Sequence, residues 1–454
     1  MSLVTPLHSR TVYRERRSRL ANWMRSKGGG VAIIPTGSSH SRNADAMYPF
    51  RYDSQFYYLT GFTEPDAWLV LIASGDADTQ AWLFCQPSDP QMEIWEGKRW
   101  GPTQARKAFG VDRADVVQDI DSWMRDNLAG HHTLFAPLHR CAMPNLPDQL
   151  HKWVTQARSR ARGLKPVPSN WIDLTGTVSD MRLIKDRHEL KVMKNSAGIA
   201  ALGHVHAMQA VQPGLTERAL EAELIGTFLR QGAQAAAYET IVATGANACT
   251  LHHAAGHSVI GPHDLVLIDA GCELSGYASD ITRTFPASGR FTAEQAALYD
   301  IVLAAQEAAI EQTKPGKSFN AAHDAAVGVL TQGLIDEGLI KETLQNALEL
   351  GLYRAFYMHR TGHWLGLDVH DAGPYRLSDI DTDEPDWLPL AAGMVLTIEP
   401  GLYIRPSDTV DERFWNIGIR IEDDAVVTAK GCELITRGVP VARTEIEALI
   451  RAGR

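Results

Sequence analysis

The sequence predicts an α/β (α+β) protein of two domains, the second built partly by internal duplication. Three observations predict it: the chain is too long for one ordinary core, its N-terminal part alternates helical periodicity with short apolar runs, and two apolar runs near residues 265 and 395 each end on a carboxylate and then a glycine. With 454 residues, two interiors of substantial size can be buried. A composition of 44% hydrophobic and 22% charged residues is that of an ordered globular chain and lies far from the signature of disorder.

Taken in order, Thr11 to Arg25 has the spacing of an amphipathic helix, and Val31 to Pro35 reads as a short buried strand. Further strands are expected at Ala67–Ala73 and Ala81–Cys85, with a helix at Ile120–Leu128. The run KPVPSNWID at Lys165–Asp173 gathers prolines and polar residues and is expected to be a linker. The first domain is therefore placed at 1–175 and the second at 176–454. The second opens on a long helix, Ser179 to Ala210, that must stop before Pro213-Gly214. Within it, LVLIDAG (Leu265–Gly271) and VLTIEPG (Val395–Gly401) echo each other. Each precedes another acid-bearing, β-favouring segment, SDITRTF (Ser279–Phe285) or GIRIEDDAVV (Gly418–Val427). The echo reads as a duplication, although short apolar strands also resemble one another by chance.

Lys and Arg number 44 against 54 Asp and Glu, so there is no general attraction to phosphate backbones or anionic membranes. Nucleic acid and membrane are not expected partners. The N-terminus carries Arg10, Arg14, Glu15, Arg16, Arg17 and Arg19 rather than an apolar core, and no stretch approaches membrane-spanning length. A cytoplasmic protein is expected. The five cysteines, Cys85, Cys141, Cys249, Cys272 and Cys432, form no CxxC pair and read as reduced and mostly buried.

The chemistry lies in the acids and histidines. Asp269 and Glu399 close apolar runs and Glu422 sits in Ile-Arg-Ile-Glu, where a carboxylate is costly unless a cation or several donors meet it. One such acid can be a hydrogen-bonded core residue; three point to a cation. FYMHRTGHWLGLDVHD (Phe356–Asp371) adds His359, His363 and His370, and neutral imidazole beside carboxylates is a normal ligand set for first-row divalent metals. His359 and His363 are four apart, but Gly362 and Gly366 favour a loop or strand over a helix. With the acid of SDITRTF, Asp280, added, four carboxylates and one histidine carry a charge near minus four, which two divalent ions neutralise and one does not. Oxygen-rich ligands favour manganese, with cobalt, zinc and iron left open. Two metals about 3.5–4 Å apart can share a water and lower its pKa for attack on a carbonyl.

At these residues the chain resembles the pita-bread metallopeptidases, and among them the bacterial Xaa-Pro aminopeptidases, the aminopeptidase P family. The resemblance runs through LTGFTEPDAWLVL, MRLIKDRHELKVMKNS, TIVATGANACTLHH, DLVLIDAGCELSGYASDITRTFP, HRTGHWLGLDVHDAG, VLTIEPGLYI and NIGIRIEDD, nearly the whole chain. It implies a C-terminal pita-bread domain with a pseudo-two-fold duplication, and Asp269, Asp280, His363, Glu399 and Glu422 as ligands of two metals. Asp280 and Glu422 would bridge both ions, and Glu399 would also move protons. By the same resemblance His252, preferred to His253 on motif position, His359 and His370 orient the substrate and stabilise the oxyanion. Tyr403 joins His359 and His370 in recognising a proline ring, and Arg420 supports a ligand carboxylate unless it is a solvated strand arginine. Trp95, in EIWEGKRWGP, is either a residue that reaches a neighbouring subunit's active site or a core aromatic. The implied activity is hydrolysis of the bond between an N-terminal residue and a penultimate proline by a homo-oligomer, a dimer or tetramer, acting on peptides. The alternatives are an Xaa-Pro dipeptidase (prolidase) with the same ligands, a catalytically silent binding domain, and a creatinase-like amidinohydrolase, which the acid-and-histidine ligand set disfavours.

Overall fold

The amphipathic N-terminal pattern forms helix Arg10–Ser26, burying Tyr13, Leu20, Ala21 and Met24; a Lys27 cap and three successive glycines then turn the chain into strand β1 (Gly30–Pro35), buried at every position. In this computed structural model, which describes residues 6–75, 78–139, 142–377 and 386–454, β1 is followed by β2 (Trp68–Ala73), β3 (Gln80–Cys85), β4 (Arg113–Val116), β5 (Thr133–Ala136) and β6 (Asn170–Asp173). They form one sheet in the order β4-β3-β2-β1-β5-β6. β2 pairs antiparallel with β1 and β3, while the β1–β5, β3–β4 and β5–β6 pairings are parallel. Trp153, from helix Leu146–Ala161, is fully buried and meets Trp68 edge-on at 5.0 Å. Burial of this kind, roughly 25 cal/mol per Å² of apolar surface, holds the helix to the sheet.

Two expectations are corrected here. The stretch expected to be a linker contains β6, because its Asn170-Trp-Ile-Asp173 portion supplies ladder partners for Thr133–Ala136. The helix expected over 179–210 is two helices, Thr175–Leu183 and Arg187–Ala210. The break falls at Asp186, whose carboxylate accepts from the backbone N–H groups of His188 and Glu189 while Glu189 accepts from the Asp186 N–H. This reciprocal cap satisfies donors that a continuous helix would have supplied with carbonyls. Asp186→Ala is expected to lower stability by about 0.5–2 kcal/mol, read from the denaturant midpoint; an unchanged midpoint would mean that the cap does not set the helix start.

The chain divides into units Met1–Arg182 and Leu183–Arg454, against the boundary expected at 175. In the second unit β7 (Ile241–Thr244), β8 (Leu265–Asp269) and β9 (Thr282–Pro286) make one antiparallel sheet. β10 (Val395–Ile398) is followed by β11 (Gly401–Ile404), β12 (Ile417–Arg420), β13 (Asp423–Val427) and β14 (Cys432–Leu434). β10, β13 and β14 form a second three-stranded sheet in the order β10-β13-β14, and β11 pairs with β12. The β-favouring segment GIRIEDDAVV is thus two strands broken at Ile421-Glu422.

The duplication is visible in the registers. Asp269 pairs with Thr282, and Ile398, just before Glu399, pairs with Asp423, just after Glu422. Each half therefore ends an apolar strand on an acid and brings a second acid in from the start of the partner strand. The glycine of the first motif is needed for this approach, since a Cβ on Gly271 would lie 1.6 Å from the Ser279 carbonyl oxygen. Behind the strands, helices Arg187–Ala210 and Ala293–Gln312 bury Met193, Ala200, Met208, Leu298 and Val302 in the unit's core. Among the described cysteines, Cys85, Cys249 and Cys272 are buried thiols and Cys432 is partly buried; Cys141 lies outside the described residues.

Candidate metal centre

Both halves deliver their acids to one cavity of about 870 Å³. Its lining includes Asp269, Asp280, His363, Glu399, Glu422, His252, His359, His370 and Arg420. Asp280, His363 and Glu422 each place a potential ligand atom within 4.8 Å of the others. His363 Nε2 lies 3.5 Å from Asp280 Oδ2 and 3.6 Å from Glu399 Oε1. The residues from Phe356 to Asp371 are not helical, as Gly362 and Gly366 predicted. Gly362 has a local reason: its Cβ would sit 2.1 Å from the Thr397 carbonyl, so glycine lets the histidine loop lie against β10.

The tautomers follow from fixed carbonyls. His363 Nδ1–H donates to the Trp364 carbonyl at 3.0 Å, leaving Nε2 aimed at the acids. His359 Nδ1–H donates to the Arg360 carbonyl at 2.8 Å, so its Nε2 accepts from the Tyr403 hydroxyl at 2.8 Å. That hydroxyl in turn accepts from Arg420 at 2.9 Å. Burial pushes the His359 ring down to about 4 and keeps it neutral. The His370 ring meets the His363 ring edge-on at 4.3 Å. Asp371, the next residue, is paired to Lys185 at 3.0 Å with both side chains almost fully buried, which anchors the loop.

Arg420, for which a solvated strand position was the competing reading, is buried and touches Asp269 Oδ2 at 2.5 Å, Tyr403 and Thr282. Burial alone would raise Asp269, but Arg420 and the Tyr238 hydroxyl hold it below the usual carboxylate range. The other acids go the opposite way. Burial, then the charge of Asp269, raises Asp280; burial pushes Glu399 up to about 7; burial, then Asp280 and Glu399, raises Glu422 strongly. Burial would lower His363, yet Asp280 and Glu399 lift it to about 9. Four carboxylates, Asp280 and Glu422 buried and Asp269 and Glu399 partly so, face one arginine and one imidazole; the excess of acids draws protons in, a place that divalent cations can take, and the oxygen and nitrogen donors suit such ions.

The structure also brings in residues that carried no signal in the sequence. Tyr238 donates to Asp269 Oδ1 at 2.6 Å and also to Asp280. Thr282 donates to Glu422 Oε2 at 2.6 Å. Asp424 accepts from the Asp280 backbone N–H at 3.1 Å, and its Oδ1 has no hydrogen-bond partner among the described residues. His253, set aside in favour of His252, is held by the fully buried Glu217, which also accepts from Asn247 and from the backbone of Thr244 and Gly256. His252 is exposed at the cavity wall. Only the histidine types and the strand-end acids were locally conspicuous; Tyr238, Thr282 and Glu217 lie in ordinary segments.

Trp95 belongs to the first unit, on helix Pro90–Glu96, and is 85% exposed beside Ile94 at 80%. The core-aromatic reading of Trp95 is therefore overturned.

Comparison with known proteins gives a consistent result. Residues 191–429 match metallopeptidase family M24, and residues 13–135 match the aminopeptidase P N-terminal domain. The chain is 39% identical over 446 residues to an Xaa-Pro aminopeptidase of Escherichia coli K12, covering 98% of this chain and 99% of that one. It is 32% identical over 461 residues to Xaa-Pro aminopeptidase 3 of Homo sapiens, covering 98% and 87%. The solved structure of Pseudomonas aeruginosa aminopeptidase PepP superposes with a TM-score of 0.94 at 43% identity, covering 98% and 99%. Aminopeptidase P from E. coli with the inhibitor Pro-Leu gives 0.92 at 39%, with the same coverage.

Proposed function

The chain belongs to metallopeptidase family M24 and carries that family's aminopeptidase P N-terminal domain, and from this premise we propose that it removes the N-terminal residue from peptides with proline in second place. It is a metal-dependent hydrolase and an exopeptidase. The observation that carries the reading is the convergence of Asp269, Asp280, His363, Glu399 and Glu422 on one cavity, in a chain similar to Xaa-Pro aminopeptidases over almost its full length.

These five residues would hold two divalent ions, manganese foremost, with Asp280, His363 and Glu422 placing their donor atoms within 4.8 Å of one another. A divalent pair lowers the pKa of water and polarises a carbonyl. Everything else is done by the chain. Glu399 takes up and returns the proton of the attacking water. Arg420 and Tyr238 each hold one oxygen of Asp269, which keeps its carboxylate in one orientation. His252 and His370 orient the peptide and place N–H donors toward the developing oxyanion. His359, with both nitrogens engaged, orients the peptide through Tyr403. The Arg420–Tyr403–His359 series holds its aromatic members in a fixed arrangement, suited to a rigid proline ring that offers no N–H.

The exposed Trp95 supports a role at a contact with another copy, in a dimer or tetramer. The four described cysteines are free thiols, which supports a reducing, cytoplasmic setting. No helix among the described residues is long and apolar enough to cross a membrane.

Metal-stripped protein resupplied with manganese, cobalt or zinc is expected to cleave Xaa-Pro-Xaa tripeptides, with manganese the most effective. Release of the first residue is followed by chromatography. Cleavage of Xaa-Pro dipeptides alone would return the reading to a dipeptidase, and no cleavage with any metal would remove the enzyme reading altogether.

A further inference from the structure

Five carboxylates line the cavity, and one of them, Glu239, is not among the four acids assigned above to the metals. It is exposed and has no ion-pair partner among the described residues. Its backbone position is fixed on both sides. Ala237 N–H donates to the Gly271 carbonyl at 2.9 Å, and Ile241 lies opposite Asp269 in the β7–β8 register. The segment 237–241 thus runs alongside 269–271, and Glu239 follows Tyr238, whose hydroxyl touches Asp269 and Asp280. A second part of the lining has the opposite character: Phe319, Tyr375 and Trp387 are grouped there, with the Arg360 guanidinium 4.5 Å over the Trp387 ring.

An unpaired carboxylate at a concave wall focuses a negative potential into the cavity, whereas the charge of the other four acids would be met by the ions they would hold. The first residue of a substrate lies within one residue of the bond broken at the cluster, a span of about 3.5 Å when extended, and it carries an α-ammonium at neutral pH and, where it is Lys or Arg, a second positive charge. We propose that Glu239 binds the positive charge of the substrate's first residue, its α-ammonium or a cationic side chain, and so determines which first residues are accepted. The proposal rests on the aminopeptidase reading above.

Manganese-loaded wild-type, Glu239→Gln and Glu239→Ala proteins are compared on Leu-Pro-Ala, Lys-Pro-Ala and Arg-Pro-Ala. If the side chain is read, kcat/KM falls roughly 10- to 100-fold on the lysine and arginine peptides, mainly through KM, and the loss is confined to them. If the α-ammonium is read, all three peptides lose by similar factors. In both cases metal content and Tm stay at wild-type values, which a merely structural role would not allow. Variants within about twofold of wild type on every peptide would overturn the proposal. Calorimetric binding of argininamide reads the same contact without turnover: binding lost in Glu239→Gln supports the site even in a protein that cleaves no Xaa-Pro peptide, and binding equal in both proteins removes it.

Discussion

Stripped of metal, the protein is expected to lose all peptidase activity and to become less stable as pH rises from about 5 to about 9, whereas the reconstituted protein should hold or gain stability over the same range. The sign follows from the site. Glu399, with a carboxyl raised to about 7, and Asp280 and Glu422, raised as well, bind protons more tightly folded than unfolded. Their contribution is complete below the ordinary carboxylate range and is lost as pH climbs through the folded values. His363, raised to about 9, acts in the same direction: its contribution is complete below the ordinary histidine value and fades toward 9. Asp269, held low, has the opposite sign but acts only below about pH 4.

The combined loss should reach a few kcal/mol, since a group that binds its proton tenfold more tightly in the folded state contributes about 1.4 kcal/mol. Metal needs the same groups deprotonated, so its affinity rises with pH and its binding releases protons. Thermal unfolding of stripped and manganese-loaded protein at several pH values checks this. Two parallel curves would mean that the four groups are not the ones that meet the metal.

What the sequence made legible was the half of this site that lies at strand ends. An acid closing a run such as Leu-Val-Leu-Ile is conspicuous because burial there is costly, and Asp269 and Glu399 could be found that way. Glu422 was found by the same rule, and His363 only as one of three histidines in one segment until the family resemblance singled it out. Asp280 stands outside any apolar run; the family resemblance, not its surroundings, singled it out. The fold was legible to a similar depth. Strands with continuous apolar character appeared within a residue or two of their expected ends, whereas β6 was hidden by prolines that precede it and by its half-polar composition.

The residues that hold the ligands in place were not legible. Tyr238, Thr282, Arg283 and Glu217 act across 30 to 140 positions of sequence, and their types are common in strands and helix starts. Nothing local distinguishes a threonine that donates to a metal ligand from one that faces water. The same applies to His253: beside His252 it looked redundant, and only the buried Glu217 gives it a fixed orientation.

The largest structural effect is expected at one of these hidden residues. Arg283, on β9, is completely buried. It donates to Asp423 Oδ1 at 2.9 Å and to the carbonyls of Thr282, Glu422, Val439 and Pro440. It therefore ties the first half's strand to the start of β13, where Glu422 enters the cavity. Asp423 is also fully buried and keeps Gln306, Thr436 and the partly exposed Arg437 as further partners. Removing the guanidinium leaves four carbonyls short of a donor and weakens the compensation of a buried carboxylate. Arg283→Ala is expected to cost about 3–5 kcal/mol of stability, and to weaken metal binding by roughly 10- to 100-fold because the Glu422 backbone loses its anchor. Asp423→Ala combined with Arg283→Ala should cost less than the two singles added together, since a lone buried charge is worse than none. Denaturant unfolding and metal titration of the three variants decide it. An Arg283→Ala protein within about 1 kcal/mol of wild type and with unchanged metal affinity would show that the two halves of the site are held together by their strands alone.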